Sequence, residues 1–123
     1  MAIALSALVG CSTAPVVTAP PIGEVSEVRL RGPIEELGVV RDRADIELLR
    51  AIVNENREGW STPWYGPPIP KRTFVFYDGE DVVGDLGVGD GFVARNVSRY
   101  SRSITGDEMR ELERIADAAE RSR

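Results

Sequence analysis

The sequence predicts an α+β domain: an antiparallel sheet of about four or five strands with two helices packed on one face. Three observations lead there. Short stretches near residues 24–32 and 72–103 alternate apolar with polar residues, the period of a half-buried strand. Two other stretches, Ile46, Leu49, Ile52, Val53 and Met109, Leu112, Ile115, Ala116, Ala119, carry apolar residues at helical spacing. The order strand, helix, several adjacent strands, helix leaves the strands as sequence neighbours, which favours antiparallel pairing with the helices to one side.

The elements follow in turn. In "EVSEVRLRG", Val28 and Leu30 alternate with charged residues and Gly32-Pro33 ends the strand; "ELGVVRD" supplies a short second one. Asp42 is placed to cap a helix, with Asp45 three residues on, and Gly59 stands where such a helix stops. "GWSTPWYGPPIPK" contains four prolines and two glycines and reads as a loop. "RTFVFYDGEDVVGDLGVG" reads as a hairpin turning at Asp78-Gly79, with Phe74 and Phe76 on one face of its first strand and Val82, Leu86 and Val88 on one face of its second. "GFVARN" and "RYSRS" extend the sheet. Thr105 and Glu108 then form a capping box for the last helix.

Composition narrows the chemistry. At 123 residues the chain suits one domain. A net charge of -5 argues against a nucleic-acid partner, which requires a clustered basic surface. There is no histidine, so triads and histidine-ligated zinc are excluded. A single cysteine, Cys11, excludes internal disulfides and thiolate metal clusters. No catalytic residue, metal or cofactor is expected.

The amino terminus carries the most specific pattern. Residues 1–10 are uncharged and apolar or small, about half the length needed to cross a bilayer but suited to the apolar region of a secretory signal. Leu8-Val9-Gly10-Cys11 resembles the lipobox of bacterial lipoproteins. The resemblance implies cleavage before Cys11, a diacylglyceryl thioether on its sulfur and an acylated new amino terminus. Ser12 in the following position resembles lipoproteins sent to the outer membrane, which implies a lipid-anchored domain facing the periplasm. Residues 11–23 contain three prolines and no charge, and read as an extended tether; every charge lies from Glu24 onward, so the domain is expected over residues 24–123.

Two features suggest binding. Trp60, Trp64 and Tyr65 stand among prolines, where rings can stack on sugars or peptides at low ordering cost; Trp60, at a helix end, also suits a core role. Arg95, Arg99 and Arg102 form a basic run with no acid between Asp90 and Asp107. In one strand Arg95 and Arg99 would share a face with Arg102 opposite, and they could grip a phosphate or carboxylate or simply protect a sheet edge. Asp78, Glu80, Asp81, Asp85 and Asp90 cluster near the hairpin but lack calcium-loop spacing, and turn and solubility roles suit them better.

The sequence therefore leads to a non-enzymatic envelope lipoprotein, membrane-held through Cys11, whose domain binds an envelope protein or peptidoglycan through the aromatic loop. An inhibitor or immunity-type protein acting on a basic enzyme is the alternative, followed by a carboxylate-based hydrolase.

Overall fold

The computed structural model describes residues 16–62, 69–95 and 99–122. The class is the expected α+β, with two helices and one antiparallel sheet, but the sheet has eight strands rather than four or five. The central six are β2 (Glu27–Arg31), β3 (Glu36–Val40), β5 (Arg72–Asp78), β6 (Asp81–Val88), β7 (Phe92–Arg95) and β8 (Tyr100–Ser103). The extra strands, β1 (Val16–Val17) and β4 (Trp60–Ser61), have two residues each. Both fall in segments whose prolines and lack of alternation point to a tether and a loop. Across the sheet the order is β1-β4-β8-β7-β6-β5-β2-β3.

Registered pairs show how alternation becomes a core. Val28 lies opposite Phe76, Leu30 opposite Phe74, and Phe74 opposite Leu86, so one face presents a continuous row of fully buried side chains. Helix α1 (Arg43–Asn54) lays Ile46, Leu49, Ile52 and Val53 onto this face, and α2 (Gly106–Arg121) adds Leu112, Ile115, Ala116 and Ala119. Asp42 caps α1 by accepting from the Ala44 N–H; the Thr105–Glu108 capping box of α2 is present. The first helix stops at Asn54, earlier than Gly59: Glu55 still donates to the Ala51 carbonyl, but Asn56 tightens to the Val53 carbonyl at 3.3 Å and its side chain donates to the Ile52 carbonyl at 2.8 Å. Gly59 instead takes the left-handed φ of 79° that swings the chain into β4.

Helix α2 approaches β3 closely: a Cβ on Gly38 would lie 2.2 Å from the Ala119 carbonyl oxygen. Side chains fasten the layers at their rims. Arg72 of β5 reaches Asp117 at 2.9 Å and Glu120 at 2.6 Å on α2, while Arg114 of α2 reaches Asp45 of α1 at 3.0 Å.

One alternation is broken. Val82 is 60% exposed instead of sharing the buried face of Leu86 and Val88. A bulge pairs Phe76 with Gly84 but Tyr77 with Val82, leaving Val83 as the extra residue and turning Val82 to the helix-free face.

The domain boundary also moves. Residues 18–25 form a strap over the helix-covered face, not part of a free tether. Ala19, Ile22 and Val25 are buried. Their backbone is held almost wholly by side chains from elsewhere. Asn54 bonds both the N–H and the carbonyl of Ile22; Arg57 donates to the Ala19 carbonyl at 2.9 Å, and Arg43 donates twice to that of Val25. The strap needs these partners because no strand lies beside it, and an unpaired buried backbone group costs about 1–3 kcal/mol.

Candidate functional site

The two faces of the sheet differ. One is closed by α1, α2 and the strap. The other carries no helix, and an open groove of about 780 Å³ runs along it. Its floor includes Thr73 and Val75 of β5 with Asp85 and Gly87 of β6. The registered pairs Thr73–Gly87 and Val75–Asp85 put these four on adjacent strands. Pro70 lies over Gly87, 2.8 Å from where a Cβ would stand, so the missing side chain lets the proline ring settle on the sheet. Pro33 and Ile69 border the groove; Ile69 is 85% exposed, and Ile34, beside Pro33, is 92% exposed. Arg31 and Lys71 add charge at the same rim, Lys71 pairing with Asp90 at 2.7 Å.

The residues singled out from the sequence are distributed differently from a single binding patch. Cys11, Trp64 and Tyr65 lie outside the described residues. Trp60 has no accessible surface. Its Nε1 donates to the Asn56 carbonyl at 2.6 Å, and Tyr100 meets its ring edge-on with centroids 6.0 Å apart. Trp60 therefore packs as a core residue sealing the sheet beside β8 and cannot offer its ring to a ligand in this conformation.

The three arginines do not lie in one strand. β7 and β8 form a hairpin in which Arg95 lies opposite Tyr100 and Val93 opposite Arg102. Arg95 and Arg102 consequently share a face, the reverse of the single-strand expectation, because the chain turns between them. Arg95 is 3% exposed, turned under the strap. Its Nε donates to the Asp85 carbonyl at 3.0 Å and its Nη1 to the Pro20 carbonyl at 2.6 Å. Burial pushes its pKa down, with Tyr100 and Asp85 acting the other way. Gly84 makes this possible: its Cβ position would lie 2.9 Å from Ile22 and 3.4 Å from Arg95 Nη2. Arg95 is thus a clamp for the strap, its guanidinium committed to two backbone carbonyls where Pro20, Arg95 and Tyr100 line one part of the groove.

Arg102 lies over Trp60, its guanidinium carbon 5.4 Å from the ring centroid, with Glu108 at 3.5 Å; its side chain is 14% exposed. Of the three, Arg99 alone is exposed. The acidic residues do not converge either. Asp78 and Asp81 face each other at the hairpin turn, Asp85 lies in the groove floor and Asp90 holds Lys71.

The groove itself was not anticipated. The signals that could have indicated it are Gly87, which adds no side chain to the helix-free face, and the Pro-Ile-Pro preceding β5, whose Pro70 lies over it. No protein-family model, curated protein or solved structure was found to match the chain.

Proposed function

We propose that this chain is a bacterial envelope lipoprotein, anchored through Cys11 and facing the periplasm, that works by binding an envelope protein or a cell-wall component and not by turnover. The observation that carries the binding half is the open, largely apolar groove on the helix-free face, with Ile34 and Ile69 exposed beside it. A preformed concave surface of this kind binds without reordering a core, and apolar floor with polar rim is the usual make-up of a recognition site. Trp64 and Tyr65 precede the groove-bordering Ile69 by only a few residues in the sequence. The anchoring half rests on Leu8-Val9-Gly10-Cys11.

Two measurements test the reading. Cells labelled with a radioactive fatty acid and fractionated should show label on the wild type and none on Cys11→Ser. A photocrosslinking residue at Ile69 should capture a partner in intact cells, and one at Glu113, on the outward side of α2, should not. A soluble unlabelled wild type defeats the anchor; equal capture at both positions defeats the groove.

The net charge of -5 favours a second reading, an inhibitor or immunity-type protein that captures a basic enzyme. Such capture would weaken steeply with salt, whereas apolar docking in the groove would not.

A further inference from the structure

Among the described residues Arg95 is the only charged side chain that is buried, and its charge has no counter-ion beside it. No Asp or Glu of the described residues comes within 4.0 Å of its guanidinium, and residues 1–15, 63–68, 96–98 and 123 contain neither acid. A buried ion without a partner is costly, so buried charges are normally paired. Holding the strap does not call for one. Asn54 serves both backbone groups of Ile22 with a neutral carboxamide, and Arg43, which donates to the Val25 carbonyl, keeps its own side chain 59% exposed.

The guanidinium is also fixed in place at the groove. Its Nε and Nη1 bonds to the Asp85 and Pro20 carbonyls set the plane of the fork, and among the described residues no acceptor meets Nη2. Next to Nη2 strand β6 supplies only Gly84, whose Cβ would stand 3.4 Å away. Arg95 lines the groove with Pro20 and with Tyr100, its registered partner on β8. Arg31 and Lys71 are the other cations of the lining and Asp85 is its one acid among the described residues; Glu36, opposite Arg31 on β3, is not part of it. With Lys71 matched by Asp90, the lining keeps an excess of one positive charge in a chain whose net charge is -5.

We infer that the groove binds a monocarboxylate with an apolar body, its carboxylate taken by the Nη2 edge of Arg95 and its body lying against Pro20 and Val83. This rests on the reading of the groove as the binding surface. A guanidinium held in one plane by two carbonyls offers its remaining N–H groups to a planar carboxylate without further ordering, and in so enclosed a place charge-assisted bonds are strong. The single excess charge suits a monoanion, whereas a dianionic phosphate would set its second charge against Asp85. Pro20 and Val83 have no polar side-chain atom to offer, so the rest of the ligand is apolar.

The test titrates the full-length chain, carrying Cys11→Ser to keep it unacylated, with sodium octanoate while isotope-labelled arginine side chains are followed by NMR. The Arg95 Nε–Hε signal, recognised by the slow solvent exchange of a buried, bonded group, should move with octanoate and stay still with octanamide, which has the same chain and no charge. Arg95→Lys should weaken octanoate binding by roughly tenfold or more, and Arg31→Gln by less than about threefold. Acetyl-alanyl-leucine with a free or an amidated carboxyl terminus distinguishes a chain end from a free acid as the source of the carboxylate. An Arg95 signal unmoved at saturating octanoate, equal binding of octanamide, or tighter binding of octyl phosphate overturns the site, and the signal decides the matter even if Arg95→Lys fails to fold. A partner still captured at Ile69 while octanoate leaves Arg95 unmoved defeats the carboxylate site alone; loss of both defeats the groove reading with it.

Discussion

The Asn54 side chain binds the Ile22 backbone as a neighbouring strand would: Oδ1 accepts from the Ile22 N–H at 2.8 Å and Nδ2 donates to the Ile22 carbonyl at 2.9 Å. One carboxamide at the last turn of α1 thus satisfies both polar groups of a residue whose side chain is itself buried. Asn54→Ala leaves both groups unpaired and should lower stability by about 2–4 kcal/mol, read as a shift in the urea midpoint at unchanged slope.

The boundary at Val16 has a direct test. Removing residues 1–15 keeps β1, the strap and the bonds described above, and the product should unfold at nearly the full-length midpoint. Removing residues 1–23 uncovers the core beneath Ala19 and Ile22 and strands Arg95 without its Pro20 acceptor. That product should lose at least about 3 kcal/mol and expose apolar surface to a dye such as ANS. Equal midpoints for the two truncations would falsify the strap's structural role.

Gly38 should accept no side chain. The obstacle is the Ala119 carbonyl, a backbone atom in the last turn of α2, so no rotamer change relieves the contact. Gly38→Ala should cost about 1–3 kcal/mol and Ala119→Gly should fail to rescue it, which thermal unfolding of the single and double variants would show.

Arg72 and Arg95 should respond oppositely to their surroundings. Burial alone would lower the Arg72 pKa, but its hydrogen bonds to Asp117 and Glu120 outweigh that and raise it. Its charge is therefore favourable at every pH below the ordinary guanidinium range, and that stability is lost only above it. With both carboxylates partly exposed, Arg72→Ala should cost no more than about 1 kcal/mol, and less at high salt. Arg95 is held charged against desolvation. Replacing it with lysine, which releases a proton more readily, should make stability rise with pH: the folded pKa falls below the unfolded value near 10.4, so the unfolded state binds more protons between the two. The wild type should be flat over the same alkaline interval in a pH series of urea titrations.

Trp60→Phe keeps most of the ring but loses the bond to the Asn56 carbonyl, a cost of about 1 kcal/mol; Trp60→Ala should cost about 3–5 kcal/mol. In a Trp64→Phe background the emission of Trp60 should be blue-shifted in the native state and move to the red on unfolding.

How much of this was legible depended on how local the determinant is. The Asp78-Gly79 turn, with Gly79 at φ 65°, and the Thr105–Glu108 capping box are each settled within four residues, and both stand where the sequence puts them. The α1 stripe was equally plain because four apolar residues at helical spacing have no other use. The strap was not. "TAPPIGEV" has no period of either kind, and its place depends on Asn54, Arg57 and Arg95, which lie far along the chain. Arg95 looked like part of a charged surface because arginine is rarely buried, and only the space left by Gly84 shows where its guanidinium goes. Val82 obeyed the alternation in sequence and lost it to a bulge no side-chain pattern records.

The strap closes against Asn54, Arg57 and finally Arg95, 75 residues beyond Pro20, so the first part of the domain to be synthesised is among the last to find its place. Such long-range closure is slow relative to hairpins and helices, which form from neighbours. Until β7 has been made, Ala19 and Ile22 have no completed surface on which to dock.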